Sequence, residues 1–143
     1  WRIIIDCSNS ERRRRVKATS YKNRRIASAI ASGFKRLGRP GTKREKSSLT
    51  RGLSLMWDKS IGYPCVMCGR KLTAKMSAFC HDVALSQDGS HTASNIYCAC
   101  QRCNSSQHTL TLTEYMKLQA WSIKTLGIGN WVKIRAWLAG SRY

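Results

Sequence analysis

Two Cys-x-x-Cys pairs constrain this chain more than any other feature of its sequence. The first pair is Cys65 and Cys68, the second is Cys100 and Cys103, and 31 residues separate them. Four thiolates at this spacing can complete one tetrahedral zinc site, the usual closed structural site. A chain of 143 residues, 42% of them hydrophobic, can build one modest core that a metal would reinforce. We therefore expect a small domain whose two flanks are fastened by a structural Zn²⁺.

The chain carries a large surplus of positive charge. Lys and Arg number 26 against 7 acidic residues, which gives a formal net charge of +19. Residues 1–60 hold 17 of the basic and 4 of the acidic residues, so the N-terminal part supplies most of the surplus. A surplus of this size favours a polyanionic partner such as nucleic acid.

Candidate phosphate contacts lie in two stretches of the N-terminal part. The run from Arg12 to Arg15 is either a solvated arm or a phosphate-binding segment, and the overall charge favours the second interpretation. From Ser20 to Leu37, apolar residues recur at helical spacing and basic residues cover the rest of the helix. The predicted nucleic-acid-binding residues are Arg12, Arg13, Arg14, Arg15, Lys22, Arg24, Arg25, Lys35 and Arg36.

Further helices are expected on both sides of the cysteine pairs. Residues 38–41 end the first helix, residues 42–46 read as a basic linker, and Ser47 or Ser48 caps a second helix to about Lys59. Thr113 is the expected cap of a helix after the second pair. A last helix is predicted over residues 131–138, and its expected core residues are Trp131, Ile134, Trp137 and Leu138.

The remaining cysteines argue against a secreted disulfide framework. Seven is an odd number, and Cys98 is expected to lie buried on a strand, while Cys7 is remote from the motif. A reducing compartment such as the cytoplasm is the expected location. The opening run, residues 1–5, is predicted to form a strand or an anchor and is too short for a signal peptide. No apolar run reaches the roughly 18–20 residues of a membrane span, so no membrane partner is expected.

Polar residues follow a fixed order between and after the cysteine pairs. A strand from about Ser77 to Val83 contains His81, a polar loop follows, and a second strand begins at Asn95. A helix then starts near Cys103 and Asn104. Over roughly residues 63–110 this pattern resembles the zinc-bearing HNH endonucleases, a group of ββα-metal nucleases. The resemblance implies an α+β fold, with a small ββα-metal core stapled by the four-cysteine zinc site and flanked by α-helices.

The resemblance also assigns roles to three residues. His81 corresponds to the general base, which suits phosphodiester hydrolysis because a near-neutral imidazole can deprotonate water around pH 7. Asn104 corresponds to a ligand of the catalytic Mg²⁺ or Mn²⁺, which neutralises charge at the phosphate. Asn95 corresponds to the residue that holds the loop and orients the histidine. The expected substrate is DNA, and the sequence leaves RNA open.

One position departs from the family pattern. The family commonly has a metal-binding Asp immediately before the catalytic histidine, and this chain has Cys80 there, a poor partner for Mg²⁺. Asp82 is the nearest carboxylate, but on a strand it lies roughly 6–7 Å from the Cys80 position. Three alternatives stay open: Asp82 replaces the ligand after a local shift, His108 with Asn104 holds the ion, or the metal is bound weakly and activity is low or lost.

The sequence gives less specific predictions for the other two histidines. His108 follows Asn104 by four residues, so on a helix the two would share a face, and His108 is a second metal ligand, a phosphate contact or a surface residue. His91 lies in the polar loop without a motif and is expected at the surface.

Two hypotheses about function follow, and they assign different roles to His81. The first is a metal-dependent HNH endonuclease with a basic, mainly helical nucleic-acid-binding extension at residues 1–60, a nuclease core at 61–112 and C-terminal helices at 113–143. The second is a non-catalytic zinc-ribbon protein that binds nucleic acid, for example in a ribosome or an assembly. The ribbon hypothesis leaves unexplained why a histidine lies between the cysteine pairs and an asparagine directly after the last cysteine. The apolar residues of the C-terminal helices serve either the core or a homodimer.

Overall fold

The computed structural model of the protein describes residues 7–140, and the side chains of Val16 and of residues 18–140. The expected strand or anchor at residues 1–5 and the side chains of Arg12 to Arg15 lie outside this part. In chain order, the elements are α1 Cys7–Arg36, α2 Lys43–Ser60, β1 Ser77–His81, β2 Ile96–Cys100, α3 Gln101–Gln107, α4 Leu112–Leu126 and α5 Ile128–Gly140. This arrangement confirms the α+β class.

The N-terminal helices are longer than the apolar periodicity indicated. α1 begins more than ten residues before Ser20, and α2 begins at Lys43, so residues 43–46 are helical and the prediction of a linker there is wrong. The reason is a capping box: Thr42 accepts a hydrogen bond from the amide of Glu45, and the Glu45 carboxylate accepts one from the Thr42 amide. Ser47 and Ser48 therefore lie inside α2 and do not cap it.

The two strands form one antiparallel hairpin that is shorter than expected by two residues at its first strand. Ser77 pairs with Cys100, Phe79 with Cys98, and His81 with Ile96. This register brings the second cysteine pair level with the start of β1 and leaves His81 at the strand's far end, where the loop begins. β2 is buried almost throughout, which requires cover on both faces of the hairpin.

Two apolar clusters provide that cover. The first joins α1 and α2 to the hairpin through Ile26, Ile30, Phe34, Leu49, Leu53 and Ile96. The second surrounds the cysteine pairs and includes Met67, Leu72, Tyr115 and Trp131. α1 and α2 therefore pack directly on the hairpin, and the three-part division of the chain stays a prediction.

The C-terminal helices bury only part of their apolar surface. α4 is capped by Thr111, with Glu114 completing the capping box, so the prediction of Thr113 as the cap is wrong. Trp131 is buried as expected, but Trp137 is 71% exposed, so its assignment to the core is wrong. Ile134 and Leu138 are partly buried. Of the helices that the structure describes, none combines the length and hydrophobicity that a bilayer span needs.

Candidate active site and metal centre

The four paired cysteines converge on one point. Cys65 and Cys68 lie in the turn before β1, Cys100 ends β2, and Cys103 is in the first turns of α3. Their Sγ atoms all lie within 4.8 Å of one another, and those of Cys68 and Cys100 are 3.7 Å apart. Around a tetrahedral zinc with Zn–S distances of about 2.3 Å, sulfur atoms are roughly 3.8 Å apart. The cluster therefore has the ligand type, number and spacing that a structural zinc site requires.

Backbone amides and an arginine near the cluster stabilise negative charge on its sulfur atoms. The amide of Cys100 donates to the Cys65 Sγ at 3.4 Å, and Gly69, at φ 70°, makes the tight turn after Cys68. The Cys103 thiol and nearby backbone amides donate to Cys65 and lower its pKa to about 4, so a thiolate is present at neutral pH. From α5, the Arg135 guanidinium donates to the Cys103 Sγ at 2.9 Å.

The two hairpin cysteines that lie outside the Cys-x-x-Cys pairs, Cys80 and Cys98, do not belong to this centre. Cys98 is buried on β2, as expected, and Cys80 is 1% exposed on β1. Among the described residues, the four paired cysteines are the group of His, Cys, Asp and Glu found close enough together to hold a metal ion.

A cavity of about 590 Å³ lies on the opposite side of the hairpin, between α1, β1 and α3. Three of the predicted site residues line it together: His81, Asn104 and His108. The α1 wall contributes Arg25 and Arg36, together with Ala29 and the hydroxyl residues Ser28 and Ser32. The family residues and part of the basic helix therefore border the same space.

His81 is an uncharged imidazole at neutral pH in this setting. Burial lowers its pKa to about 4, with smaller contributions from the nearby His91 and the Arg36 guanidinium. Its Nε2 is 3.0 Å from the Nδ1 of His91. A neutral ring keeps one nitrogen lone pair, which is the property a general base needs.

His91 is buried, so the expectation that it lies at the surface is wrong. It is 8% exposed, and its ring reaches under α1, where its Nε2 is 3.2 Å from the Ile30 carbonyl oxygen. Burial lowers the pKa of His91. The polar composition of the loop gave no sign of this, because the residues that bury His91 come from a helix far earlier in the chain.

Gln107 is a second site residue that sequence reasoning missed. It is 2% exposed, and its Nε2 donates to the His81 carbonyl at 3.1 Å and to the Leu110 carbonyl at 2.7 Å. Its Oε1 accepts a hydrogen bond from the Tyr97 hydroxyl at 2.7 Å. Gln107 thereby ties the end of α3 to the end of β1, next to the candidate base.

Asn95 connects the two ends of the loop between the strands. Its Oδ1 accepts from the Val83 amide at 2.9 Å, and its Nδ2 donates to the carbonyls of Val83 and Ser90 at 2.9 and 2.8 Å. The side chain is thus fully engaged in holding the loop, which follows directly after His81 and carries His91. Asn95 does not line the cavity.

Asp82 points away from the other candidate metal ligands. Its Oδ1 accepts a hydrogen bond at 2.7 Å from the amide of Leu112, in the first turn of α4, where the positive end of a helix dipole stabilises a carboxylate. It is absent from the cavity lining. Asp82 could replace the missing family ligand only if it gave up its hydrogen bond to the Leu112 amide.

Asn104 and His108 meet in the cavity although they do not share a helix. α3 ends at Gln107, and His108 follows it with φ 56° and ψ −120°, a backbone conformation that is uncommon for a residue other than glycine. This change of direction returns His108 to the cavity. The amide oxygen of Asn104 and a ring nitrogen of His108 are two donors that this cavity offers to a cation.

The predicted basic residues have different surroundings. Lys22 forms an ion pair with Asp58 of α2 at 2.6 Å, and Arg25 donates to the Ser77 carbonyl, so both serve packing between elements. Arg24, Lys35 and Arg36 are exposed, and of these Arg36 lines the cavity.

Comparison with known proteins identifies the central part of the chain. The family model described as HNH endonuclease matches residues 65–110. No curated protein and no solved structure matches the chain. The matched segment runs from the first cysteine of the zinc-type cluster through both strands and α3, and it includes His81, Asn104 and His108. Over residues 65–110, about a third of its length, the chain therefore carries a segment that matches the HNH endonuclease family model and whose four-cysteine cluster could bind zinc.

Proposed function

We propose that this protein is a metal-dependent endonuclease that hydrolyses phosphodiester bonds in DNA, with His81 as the general base. The observation that carries this proposal is the shared cavity, in which His81, Asn104 and His108 face the basic side of α1. A zinc-ribbon binding module has no need of a neutral, partly buried histidine beside two metal-type donors and two arginines.

His81 supplies the proton acceptor for the reaction. Its lowered pKa keeps the ring unprotonated at neutral pH, so it can take a proton from a water molecule. The water oxygen then forms a bond to phosphorus, and the bond from phosphorus to the leaving oxygen breaks. The Arg25 and Arg36 guanidiniums bring positive charge to the same cavity, where the phosphate becomes more negative in the transition state.

The cavity side of α1 fits a nucleic-acid backbone. Arg25, Ser28, Ser32 and Arg36 recur at intervals of three or four residues, so one stripe of α1 presents charges and hydroxyls to the cavity. Guanidinium and hydroxyl groups are common phosphate contacts, and such contacts position a protein without reading sequence. We propose that this stripe binds the backbone beside the scissile phosphate.

The catalytic ion is proposed to bind through Asn104 and His108 together with phosphate oxygens. A divalent ion in this position would neutralise charge on the phosphate and the leaving oxygen. Among the described residues that line the cavity there is no carboxylate. Two neutral protein donors give weak affinity for Mg²⁺, whereas an imidazole ligand favours Mn²⁺ and later transition metals. We therefore expect millimolar metal requirements and faster cleavage with Mn²⁺.

The test is cleavage of supercoiled plasmid DNA by wild type and His81→Ala with Mg²⁺, Mn²⁺ or EDTA, beside a binding titration at two salt concentrations. We expect metal-dependent cleavage that falls by at least about 100-fold in the variant while salt-sensitive binding stays. Because EDTA can also extract structural zinc, excess Mg²⁺ is added back without zinc. Restored cleavage then assigns the requirement to the second ion.

Strong binding without any cleavage in wild type would contradict the proposal and favour the zinc-ribbon alternative. Single-stranded and duplex RNA are tested in parallel, because the same cavity chemistry applies to either backbone. Cleavage of RNA alone would revise the substrate and keep the reaction. The cysteine chemistry suits a reducing cytoplasm, since the four ligand thiols must stay unoxidised.

The number of strands cut depends on the number of active sites. Trp121, Ile128, Val132 and Trp137 leave an apolar surface on α4 and α5, which is where a second copy would pack. Sedimentation velocity at two concentrations determines the oligomeric state. We expect nicked product from a monomer and linear product from a two-fold dimer.

A further inference from the structure

A second histidine lies between His81 and the backbone of α1. The Nδ1 of His91 is 3.0 Å from the Nε2 of His81, and the Nε2 of His91 is 3.2 Å from the Ile30 carbonyl oxygen. The family resemblance assigned no role to His91. Its two ring nitrogens are both engaged, one on each side, so the ring bridges the candidate base and the basic helix.

The Ile30 carbonyl oxygen determines which ring nitrogens of His91 and His81 carry a proton. A carbonyl oxygen can only accept, so the Nε2–H of His91 donates to Ile30. A neutral His91 then has its lone pair on Nδ1, which can only accept, so the Nε2–H of His81 donates to it. The remaining nitrogen of His81, Nδ1, must therefore hold the lone pair that takes a proton.

Close packing keeps the His91 ring in this orientation. Phe34 meets the ring edge to face, with ring centroids 4.9 Å apart. Gly33 has no side chain, and a Cβ built there would lie inside the His91 ring. The ring thus sits in a slot made by one turn of α1, and rotating it would break the bond to Ile30.

We infer that His91 is a positioning residue: it fixes the tautomer and ring orientation of His81 and so makes Nδ1 of His81 the proton acceptor. The inference rests on the proposed function of His81 as the general base. When Nδ1 takes a proton from water, the Nε2–H of the resulting imidazolium still donates to His91, which stays neutral.

The experiment compares His91→Asn with His91→Leu. The Oδ1 of asparagine lies where the Nδ1 of histidine was and can still accept from His81, whereas leucine offers no acceptor. Ser94→Ala is the matched control, because Ser94 lies on the same loop, bonded to the Thr92 hydroxyl and outside the cavity. Thermal unfolding and zinc content of each variant show whether it folds.

Three quantities are measured for each variant: the cleavage rate, the DNA Kd and the tautomer of His81. Single-turnover cleavage and DNA Kd separate the chemical step from binding, and ¹⁵N signals of the imidazole nitrogens report the tautomer. The chain has three histidines, so single variants suffice to assign the signals. In wild type we expect His81 to be protonated at Nε2 and not at Nδ1.

In His91→Leu we expect a mixture of His81 tautomers and a cleavage rate about 100-fold lower, with Kd within about two-fold of wild type. In His91→Asn we expect the wild-type tautomer and most of the rate, and Ser94→Ala should match wild type. An unchanged tautomer in His91→Leu, or equal rates in the Asn and Leu variants, would overturn the inference. If wild type cleaves nothing, the proposed function fails, and a His81 ring protonated at Nδ1 would then separately overturn the role of His91.

Discussion

Burial of His81 gives the stability of the protein a pH dependence. Its pKa in the folded protein is lowered to about 4, mainly by burial, whereas an unfolded histidine has a pKa of about 6.5. Between these values the unfolded chain binds a proton that the native protein does not, so protonation favours unfolding. The free energy of unfolding should therefore fall as the pH drops from about 6.5 towards 4.

Urea unfolding at pH 7 and pH 5 measures this effect. We expect His81 to account for roughly 1–2 kcal/mol of the stability that wild type loses between these values. The variant His81→Gln should lose correspondingly less, because its side chain does not titrate. Equal losses in wild type and variant would contradict the lowered pKa of His81.

Because the pKa of His81 is lowered to about 4, the cleavage rate should also stay level from about pH 6 to 8.

At the scale of elements, α1 depends on one glycine to reach the active site. Ala at position 33 would place a Cβ inside the His91 ring, so either the helix or the histidine must move. We expect Gly33→Ala to lower the free energy of unfolding by about 1–3 kcal/mol and to reduce cleavage. The matched control is Gly129→Ala in α5, where a Cβ would have no neighbour within 4 Å.

Gly129→Ala should keep the stability of wild type or raise it by at most about 0.5–1 kcal/mol, because alanine is the better helix former and Gly129 is the second residue of α5. Urea titration of both variants provides the comparison. If Gly33→Ala is as stable and as active as Gly129→Ala, the close contact between α1 and His91 does not exist in solution.

The last helix, α5, is connected to the metal centre through Arg135. Its guanidinium donates to the Cys103 Sγ at 2.9 Å and to the Ser106 Oγ at 3.4 Å, and Ser106 is bonded in turn to the Tyr115 hydroxyl of α4. A positive charge beside a zinc-bound thiolate offsets part of the negative charge of a site with four thiolates. Such outer contacts typically change metal affinity by about 10–100-fold.

We therefore expect Arg135→Met to transfer zinc to a chromophoric chelator at least about 10-fold faster than wild type. Lys133→Met is the control, since it removes one positive charge from an exposed position of the same helix. Similar transfer rates for the two variants would mean that α5 does not stabilise the metal centre.

The features that could be predicted are those whose sequence signals lie within a short stretch of the chain. The four-cysteine cluster and the order of strands and helices follow from spacing within residues 65–108, whereas the pairing of His81 with Asn104 in one site was predicted from the family resemblance. The start of α2 was missed because the capping box at Thr42 and Glu45 outweighs the basic linker composition. The position of His91 could not be predicted, because a contact with Ile30 depends on how α1 packs over the loop. Gly33 in the helix interior was the one available sign of a close approach.

At the scale of the whole molecule, the four-cysteine cluster belongs to the apolar cluster that joins the turn before β1, the hairpin and the C-terminal helices. Its ligands come from the turn before β1, from β2 and from α3, and the buried residues around it extend to Tyr115 and Trp131. A chain with a modest core relies on such a metal for folding free energy. Loss of zinc should therefore destabilise the hairpin and the C-terminal helices together.

Cys103→Ala and Cys98→Ala test this dependence. Both remove a buried sulfur, but only Cys103 belongs to the cluster. We expect Cys98→Ala to keep about one zinc per chain, and Cys103→Ala to lose zinc and the cooperative thermal transition. Zinc content by elemental analysis and melting by circular dichroism provide the measurements. Equal zinc content in both variants would exclude Cys103 as a ligand.

The bridge from His81 to α1 ends on a main-chain oxygen, and this has an evolutionary consequence. No side-chain replacement at position 30 can delete a backbone carbonyl, so the acceptor for His91 survives changes in the amino acid there. The residues of α1 that we propose to contact nucleic acid can therefore diversify, and the target preference with them, without disturbing the proton arrangement at the proposed base. Selection would instead bear on Gly33, whose missing side chain makes room for the ring. A library that varies the exposed positions of α1 and keeps Gly33 is thus a natural starting point for changing the target of the proposed nuclease.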